Sequence, residues 1–591
     1  MNIWECDVLQ YLAGHDYITQ SVLSRETGFS IGKINRSLHD LVERGYLTDK
    51  YSLTQAGKEL LQQSRPQRAI ILAAGYGLRM MPANMNVPKA LIEAHGETLI
   101  ERIIRQLHDV DIHEIYIVVG YMKEQFDFLQ DMYGVNLIIN TDYSTKNNLH
   151  SLLLAFGHLP NSYVVPCDLW FTSNPFRREE LYSWYMVGES AEEEESIVRL
   201  NRRRELIGTT NFNKGNAMIG LAYITSADAA VLSDRLKLMD SDIKNRNSFW
   251  EDALFSAGFK RIYARVAEQG DVFEIDSYEQ LKELDQQSNN LHSSVLELIS
   301  EILGVEQCDI TNIEVLKKGM TNRSFRFSCK NNQYIMRIPG EGADMLINRA
   351  QEYSVYRTIN GLGLCDDLVY IEPISGYKLT RFIDNARVCD PEDITDVKKC
   401  MAFLRGMHER KLSVEHFFDL FERINFYEQL RGNVHSVYRD YEQTKANVFS
   451  LKEYLDQQVC QYTLTHIDAV PDNFLLFEEN GNEAIRLIDW EYASMQDPHV
   501  DIAMFAIYSM YDRVRVDQLI DTYFTEGCDL SVRLKVYCYI ALCGLLWSNW
   551  CEFKLLQGVD FGEYSLRQYR YAKDYYRIVN EYLAGNTEQK G

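Results

Sequence analysis

None of the twelve cysteines forms a C-x-x-C pair, and no Cys/His cluster has zinc-ligand spacing. A zinc ribbon or dithiol redox motif is therefore excluded, and reduced structural thiols in a cytoplasmic protein are expected. Positive charge is also in short supply. Lys and Arg number 61 against 85 Asp and Glu, a net charge of −24. That balance argues against nucleic acid or an anionic membrane as the main partner, while leaving room for a local basic pocket that holds a nucleotide. The opening residues, MNIWECDVLQ, lack a basic stretch followed by an apolar one, so no secretory signal is expected. The longest uncharged stretch, Val536–Cys551, contains Ser548 and Asn549 and is short for a membrane span. It fits a buried helix, and no membrane contact is expected. There is no internal repeat.

What the chain does have is the balance of a globular protein, 46% hydrophobic and 25% charged, over 591 residues. That length suits roughly three to four domains of about 150 residues each. Residues 1–65 read as short amphipathic helices. Thr19 and Ser30 can cap the second and third, Gly28 and Gly45 end them, and YLTDKYSLT has the look of a small hairpin. The order resembles a winged helix-turn-helix module. Its seven Lys/Arg face eight Asp/Glu. Lys33 and Arg36 could touch phosphates, but Asp40 and Glu43 follow them. Nucleic acid binding therefore ranks below a structural or protein-contact role.

Residues 67–288 alternate β-branched strands with helices, the pattern of a doubly wound α/β domain. The first strand runs into LAAGYGLRM, where Gly75 and Gly77 free backbone N–H groups to approach phosphate. Arg79 and Lys89, the latter in PKAL, add two cations suited to triphosphate oxygens. Together these residues resemble the sugar-phosphate and phosphocholine nucleotidyltransferases. The resemblance implies a nucleotide held by Leu72, Ala73, Ala74, Gly75, Gly77, Arg79 and Lys89, the last two acting in catalysis. It implies Mg²⁺ held by Asp168 and, from the Trp250-Glu251-Asp252 run, by Asp252 in preference to Glu251. It further implies an acceptor pocket at Tyr143, Asn148 and Trp250, near Asn140 and Asn147. The acidic run Glu192–Glu195 reads as a solvated loop. The polar stretch ELDQQSNNLHSS reads as a linker.

Residues 292–585 begin with strands and continue as helices, a bilobal kinase-like order. His466-Ile467-Asp468-Ala469-Val470-Pro471-Asp472-Asn473 has H-x-D-x-x-x-x-N spacing, and Asp489 follows sixteen residues after Asn473 at the end of a strand. Phosphoryl transfer needs such a set. Asp468 takes the hydroxyl proton, and Asn473 and Asp489 hold Mg²⁺ on the phosphates. Upstream, KKGMTNRSFRF with Thr321 and Asn322 resembles the phosphate-covering hairpin of choline and aminoglycoside kinases. Arg337 stands where the nucleotide-contacting lysine is usual, with Glu352 its candidate helix partner. DWEYASMQDPHVDIA resembles the choline-kinase group and includes Glu491 and Asp501. His408 reads as structural. Trp547 and Trp550 share a helix face, and with Phe561 and Tyr564 suit a quaternary ammonium. Glu491, Trp547, Trp550 and Phe561 are thus the implied substrate contacts.

Read together, the three segments give a multidomain α/β and α+β chain. It resembles bifunctional bacterial choline kinase/CTP:phosphocholine cytidylyltransferase proteins that carry an N-terminal winged helix-turn-helix domain. The resemblance implies ATP, CTP, choline and phosphocholine as partners, with CDP-choline and pyrophosphate as end products. Three alternatives are weighed against it. The first is the same two reactions on ethanolamine or another aminoalcohol. The second is a metabolite-sensing transcription regulator. The third, an antibiotic-modifying kinase, leaves the nucleotidyltransferase half unexplained. Oligomeric state stays open.

Overall fold

The computed structural model describes the chain apart from residues 192–196, 202, 209–214, 256–261, 317–321, 341–345, 433, 480, 557–558 and 589–591. The acidic run Glu192–Glu195 lies outside the described residues. The chain forms two compact units, Met1–Glu301 and Ile302–Gly591.

The first unit opens with helices Ile3–Gly14, Gln20–Thr27, Ile31–Glu43 and Gln55–Gln63. Asn2, Thr19 and Thr54 each accept a backbone N–H from the helix they precede, and Gly28 ends the second helix in the left-handed conformation that glycine adopts without strain. Ser30 stands at the start of the third helix without making such a bond. Leu47 and Leu53 pair across the small hairpin. Val8, Leu9, Ile34, Leu38 and Leu41 fill a core of their own, with Leu181 of the following domain packed against it. The Tyr182 hydroxyl donates to Asp7 at 2.7 Å, and Gln10 donates to the Glu179 carbonyl at 2.7 Å. Phe29, in the turn before the third helix, lies under the Arg204 guanidinium. The module is thus seated on its neighbour by partly buried hydrogen bonds as well as apolar contact.

That neighbour is built on a nine-stranded sheet. Arg68–Ala73 lies between Glu114–Val119 and Ser162–Pro166, parallel to both, and Asn136–Ile139 extends the parallel set beyond Glu114–Val119. Gly215–Ile224 pairs antiparallel to Ser162–Pro166. The strands are near-continuous apolar runs because helices such as Leu99–His108 and Asn148–Leu154 cover both faces. Parallel strands point their C-terminal ends one way, so Ala74-Gly75, Gly120, Asn140 and Asp168 all emerge on one edge, where doubly wound folds bind ligands. The stretch expected as a linker is instead strapped onto the Glu93–Thr98 hairpin. Asn290 accepts from the Glu93 N–H at 2.8 Å, and Ser288 donates to its carbonyl at 2.6 Å.

The second unit begins with a five-stranded antiparallel sheet in the order Ile310–Val315, Asn322–Cys329, Asn332–Pro339, Lys378–Arg381, Leu368–Ile371. Helix Arg349–Ile359 belongs to this part, and a helical remainder follows. The uncharged stretch of the sequence lies within helix Leu530–Leu556, which is long and apolar enough to cross a membrane but is 72% buried over its most apolar window. Helices His499–Tyr508 and Glu563–Glu588 pack along it. Gly544 allows that approach, since a Cβ there would stand 2.7 Å from the Gln568 carbonyl oxygen.

Candidate active sites

The first site forms at the strand ends of the nucleotidyltransferase-like domain. Leu72 and Ala73 close the first strand, and the chain then turns through Ala74-Gly75-Tyr76-Gly77. The Ala74 carbonyl accepts from the Tyr121 N–H, and buried Asn84 donates to the carbonyls of Tyr76 and Gly77, each at 2.9 Å. Gly77 has φ +59°, and a Cβ there would stand 2.8 Å from Cβ of Lys89. Only glycine lets the loop turn so close to that lysine. The buried Lys89 ammonium donates to Asp168 at 2.6 Å and to Asp276, while Arg79 pairs with the other Asp276 oxygen at 2.6 Å.

No sequence motif marks Asp276. It arrives because strand Val272–Glu274 pairs antiparallel with Leu169–Phe171, setting Glu274 opposite Leu169, and the Ile275 N–H donates to the Asp168 carbonyl. One carboxylate oxygen from each of Asp168, Glu274 and Asp276 lies within 4.8 Å of the others. Burial raises the Asp276 carboxyl, but the charges of Lys89 and then Arg79 outweigh it and leave it below the ordinary range. Glu274 is exposed as a residue, but desolvation of its carboxyl within the cluster, then the charges of Asp276 and Asp168, raises it above the ordinary range. Three oxygen donors around one point suit a hard divalent cation.

Two of the expected residues lie apart from this cluster. Asp252 stands outside this carboxylate cluster. It is exposed, and its carboxylate accepts from the Phe249 N–H at 3.1 Å, closing its own turn. Its neighbour Glu251 is half-buried, with its carboxylate turned inward. The Tyr185 hydroxyl donates to one oxygen at 3.2 Å, the other has no hydrogen-bond partner among the described residues, and burial pushes its carboxyl up to about 7. Trp250 is 1% exposed and packs on Tyr185 in the core, so its ring offers no open face to a ligand. Asn148 does meet that segment, accepting from the Trp250 N–H at 2.9 Å. Asn147 caps the helix through the Asn148 N–H. Tyr143 lies 5.2 Å from Tyr76 between ring centres, beside the glycine loop.

The second site is a cavity of about 990 Å³ in the second unit, lined by acidic residues, by the cations Arg337 and Lys378, and by aromatic rings. Asp468 is fixed by Asn473, whose amide donates to its carbonyl at 2.9 Å and its carboxylate at 3.2 Å. Ile467, a β-branched residue, sits at φ +71°, a strained conformation that needs external support. Asp501 supplies it, accepting from the N–H of His466 at 3.0 Å and of Ile467 at 2.8 Å. His408 bonds Asp501 at 3.0 Å and Tyr523 at 2.9 Å, a buried structural link. Asp489 also takes the left-handed conformation, at φ +68°. Burial, then the charge of Asp489, pushes Asp468 up to about 7, and burial raises Asp489 as well.

Arg337 meets Glu352 through both terminal nitrogens, one at 2.9 Å, and Glu352 is only 1% exposed. Asn322 donates to Glu491 at 2.9 Å, and Arg349 reaches Glu352 at 3.1 Å and Glu491 at 3.4 Å. Glu491, expected among the substrate contacts, is thus tied by its carboxylate to the β-lobe. Burial, then the Asp489 charge, pushes it up to about 8. Thr321 lies outside the described residues. Trp547, Trp550, Phe561 and Tyr564 line the cavity together with Tyr492 and Tyr508. Ring centres are 5.3 Å apart for Trp547 and Trp550 and 5.0 Å for Trp550 and Phe561. Tyr492 and Tyr508, absent from the sequence expectations, lie outside the helix that made the tryptophan pair legible.

Three family models match. "MobA-like NTP transferase domain" covers residues 69–204, "Choline/ethanolamine kinase" covers 313–517, and "wHTH-PRTase associated" covers 9–74. A choline-phosphate cytidylyltransferase of Streptococcus pneumoniae is 31% identical over 37% of this chain and 97% of its own length. Protein LicA of Haemophilus influenzae is 27% identical over 42% of this chain and 96% of its own. The crystal structure of choline kinase LicA from Streptococcus pneumoniae aligns with 29% identity over 48% of this chain and all of that one, with a TM-score of 0.42.

Proposed function

The chain belongs to the choline-phosphate cytidylyltransferase family, and we infer that it joins that activity to a choline kinase, making CDP-choline from choline in two steps. The observation that carries this reading is the presence of two separate acidic sites in one chain. One lies beside a glycine loop and two cations, the other beside an aromatic pocket. A kinase that makes a phosphate monoester supplies what a nucleotidyltransferase consumes. We propose that the cytidylyltransferase domain spans residues 67–288 and the kinase 292–585, behind a winged helix-turn-helix module over 1–65.

In the kinase, Asp468 accepts the choline hydroxyl proton as the γ-phosphoryl of ATP is transferred. Asn473 holds its carboxylate in place at the cleft for that role. In the cytidylyltransferase, Lys89 and Arg79 hold the CTP phosphates while the phosphate of phosphocholine attacks. That phosphate is already ionised, so positioning and charge stabilisation carry the rate. Enzymes of both families generally use a divalent metal ion, and here we propose Mg²⁺. Asp168, Asp276 and Glu274 would hold it in one site, Asn473 and Asp489 in the other. Bound there, it neutralises charge on the phosphates. All twelve cysteines are free, which suits a cytoplasmic location. The module at 1–65 is read as a partner of the adjoining domain before a DNA reader.

The test is a substrate panel on the full chain, with products identified by mass spectrometry. Choline and ATP should give phosphocholine, and adding CTP should give CDP-choline and pyrophosphate. Ethanolamine turned over as well as choline would overturn the assignment of substrate, because a primary ammonium prefers hydrogen-bonding partners to an aromatic wall. The wall itself is checked by Trp547→Leu. A desolvated cation–π contact is worth about 2 kcal/mol, or roughly thirtyfold. The choline KM should rise by that order while the ATP KM stays put.

A further inference from the structure

Arg337 and Lys378 are register partners on adjacent antiparallel strands, 5% and 6% exposed, and both line the cleft. Their surroundings differ. Both terminal nitrogens of Arg337 lie on the Glu352 carboxylate, and one also donates to the Gly376 carbonyl at 3.0 Å. Arg349 grips the same carboxylate. To reach a phosphate, the guanidinium would have to break a buried bidentate pair and leave Glu352 partly uncompensated.

Lys378 is held more lightly. Its ammonium donates to the neutral Tyr356 hydroxyl at 2.6 Å and lies 3.5 Å from Asp366, beyond ordinary hydrogen-bond range. Asp366 in turn accepts from the Tyr356 hydroxyl at 3.1 Å. An ammonium has three donors, so this buried one keeps capacity for a further acceptor. It lines the same cleft as Asp489. A lysine head on four rotatable bonds can follow a ligand, whereas the arginine fork stays on its carboxylate.

We propose that Lys378 is the side chain that binds the phosphates of the kinase's nucleotide, with Arg337 left to fix Glu352 and its helix. The proposal rests on the kinase reading above. The experiment compares binding of ATP, ADP and adenosine to the full chain carrying Lys378→Met or Lys378→Arg. Loss of one charged hydrogen bond should weaken ATP and ADP by about ten- to a hundredfold while adenosine binds as before. Lys378→Arg should recover most of that loss, and the choline KM should move in neither variant. Equal weakening of ATP and adenosine would overturn the proposal in favour of a purely structural lysine, as would unchanged ATP binding. If Lys378→Met does not fold, Lys378→Gln carries the same comparison. Failure of the kinase reading is separately visible as wild-type protein that binds ATP yet leaves choline unchanged.

Discussion

Asp468→Asn should abolish phosphocholine formation from choline and ATP while CDP-choline still forms from supplied phosphocholine and CTP. The amide keeps the shape of the carboxylate and its contact with Asn473, but cannot take the hydroxyl proton. General-base catalysis is worth about 10²- to 10⁴-fold, so kcat should fall by at least that lower bound. The Asp501 clamp on the His466 and Ile467 backbone is untouched, so nucleotide binding should persist. Initial rates of each half-reaction, measured on the same preparation, check this. Retention of phosphocholine synthesis within a few-fold would remove Asp468 from the chemistry.

The kinase set was legible because its chemistry is local in sequence. Asp468 and Asn473 share one loop, and Asp489 ends the next hairpin, so spacing alone names them. Glu352 is a similar case. A helix glutamate in NRAQEYSVY could as well face solvent, and burial against Arg337 decides between the two. What spacing cannot carry is a partner brought in by sheet register. Asp276 sits 187 residues from Lys89, and only the pairing of Val272–Glu274 with Leu169–Phe171 sets it there. Lys378 is a further instance, placed by strand pairing beside Arg337 with no motif around it.

Aromatic residues were the other difficulty. Trp250 and Trp547 look alike in sequence, each amid acidic or apolar neighbours. One is sealed in a core beside Tyr185, and the other lines an open cavity. The i, i+3 spacing of Trp547 and Trp550 fixes a shared face but not what that face meets. At the N-terminus, helix caps and breakers were readable as local chemistry. The seating of the module through Asp7, Gln10 and Phe29 was not, because its partners lie in another domain.

The placement of Asp276 leads to the sharpest expectation for the cytidylyltransferase. Asp276→Asn and Asp168→Asn should each collapse nucleotidyl transfer by about 10²-fold or more, since each removes charge where a cation and phosphates must meet in a low-dielectric site. Asp252→Asn should leave transfer within a few-fold, because that carboxylate is exposed and only closes its own turn. The contrast separates loss of the site from general damage, provided each variant melts as the wild type does. Choline phosphorylation should survive in all three, so that phosphocholine accumulates from choline and ATP. If Asp252→Asn were the severe change and Asp276→Asn the mild one, the carboxylate cluster would have no part in transfer. Mixing Asp276→Asn with Asp468→Asn should restore CDP-choline synthesis from choline, ATP and CTP, because phosphocholine made by one molecule can diffuse to the other. Failure of the mixture, with each variant active in its own half-reaction, would mean that the intermediate is not released. The two sites would then have to pass it on within one molecule.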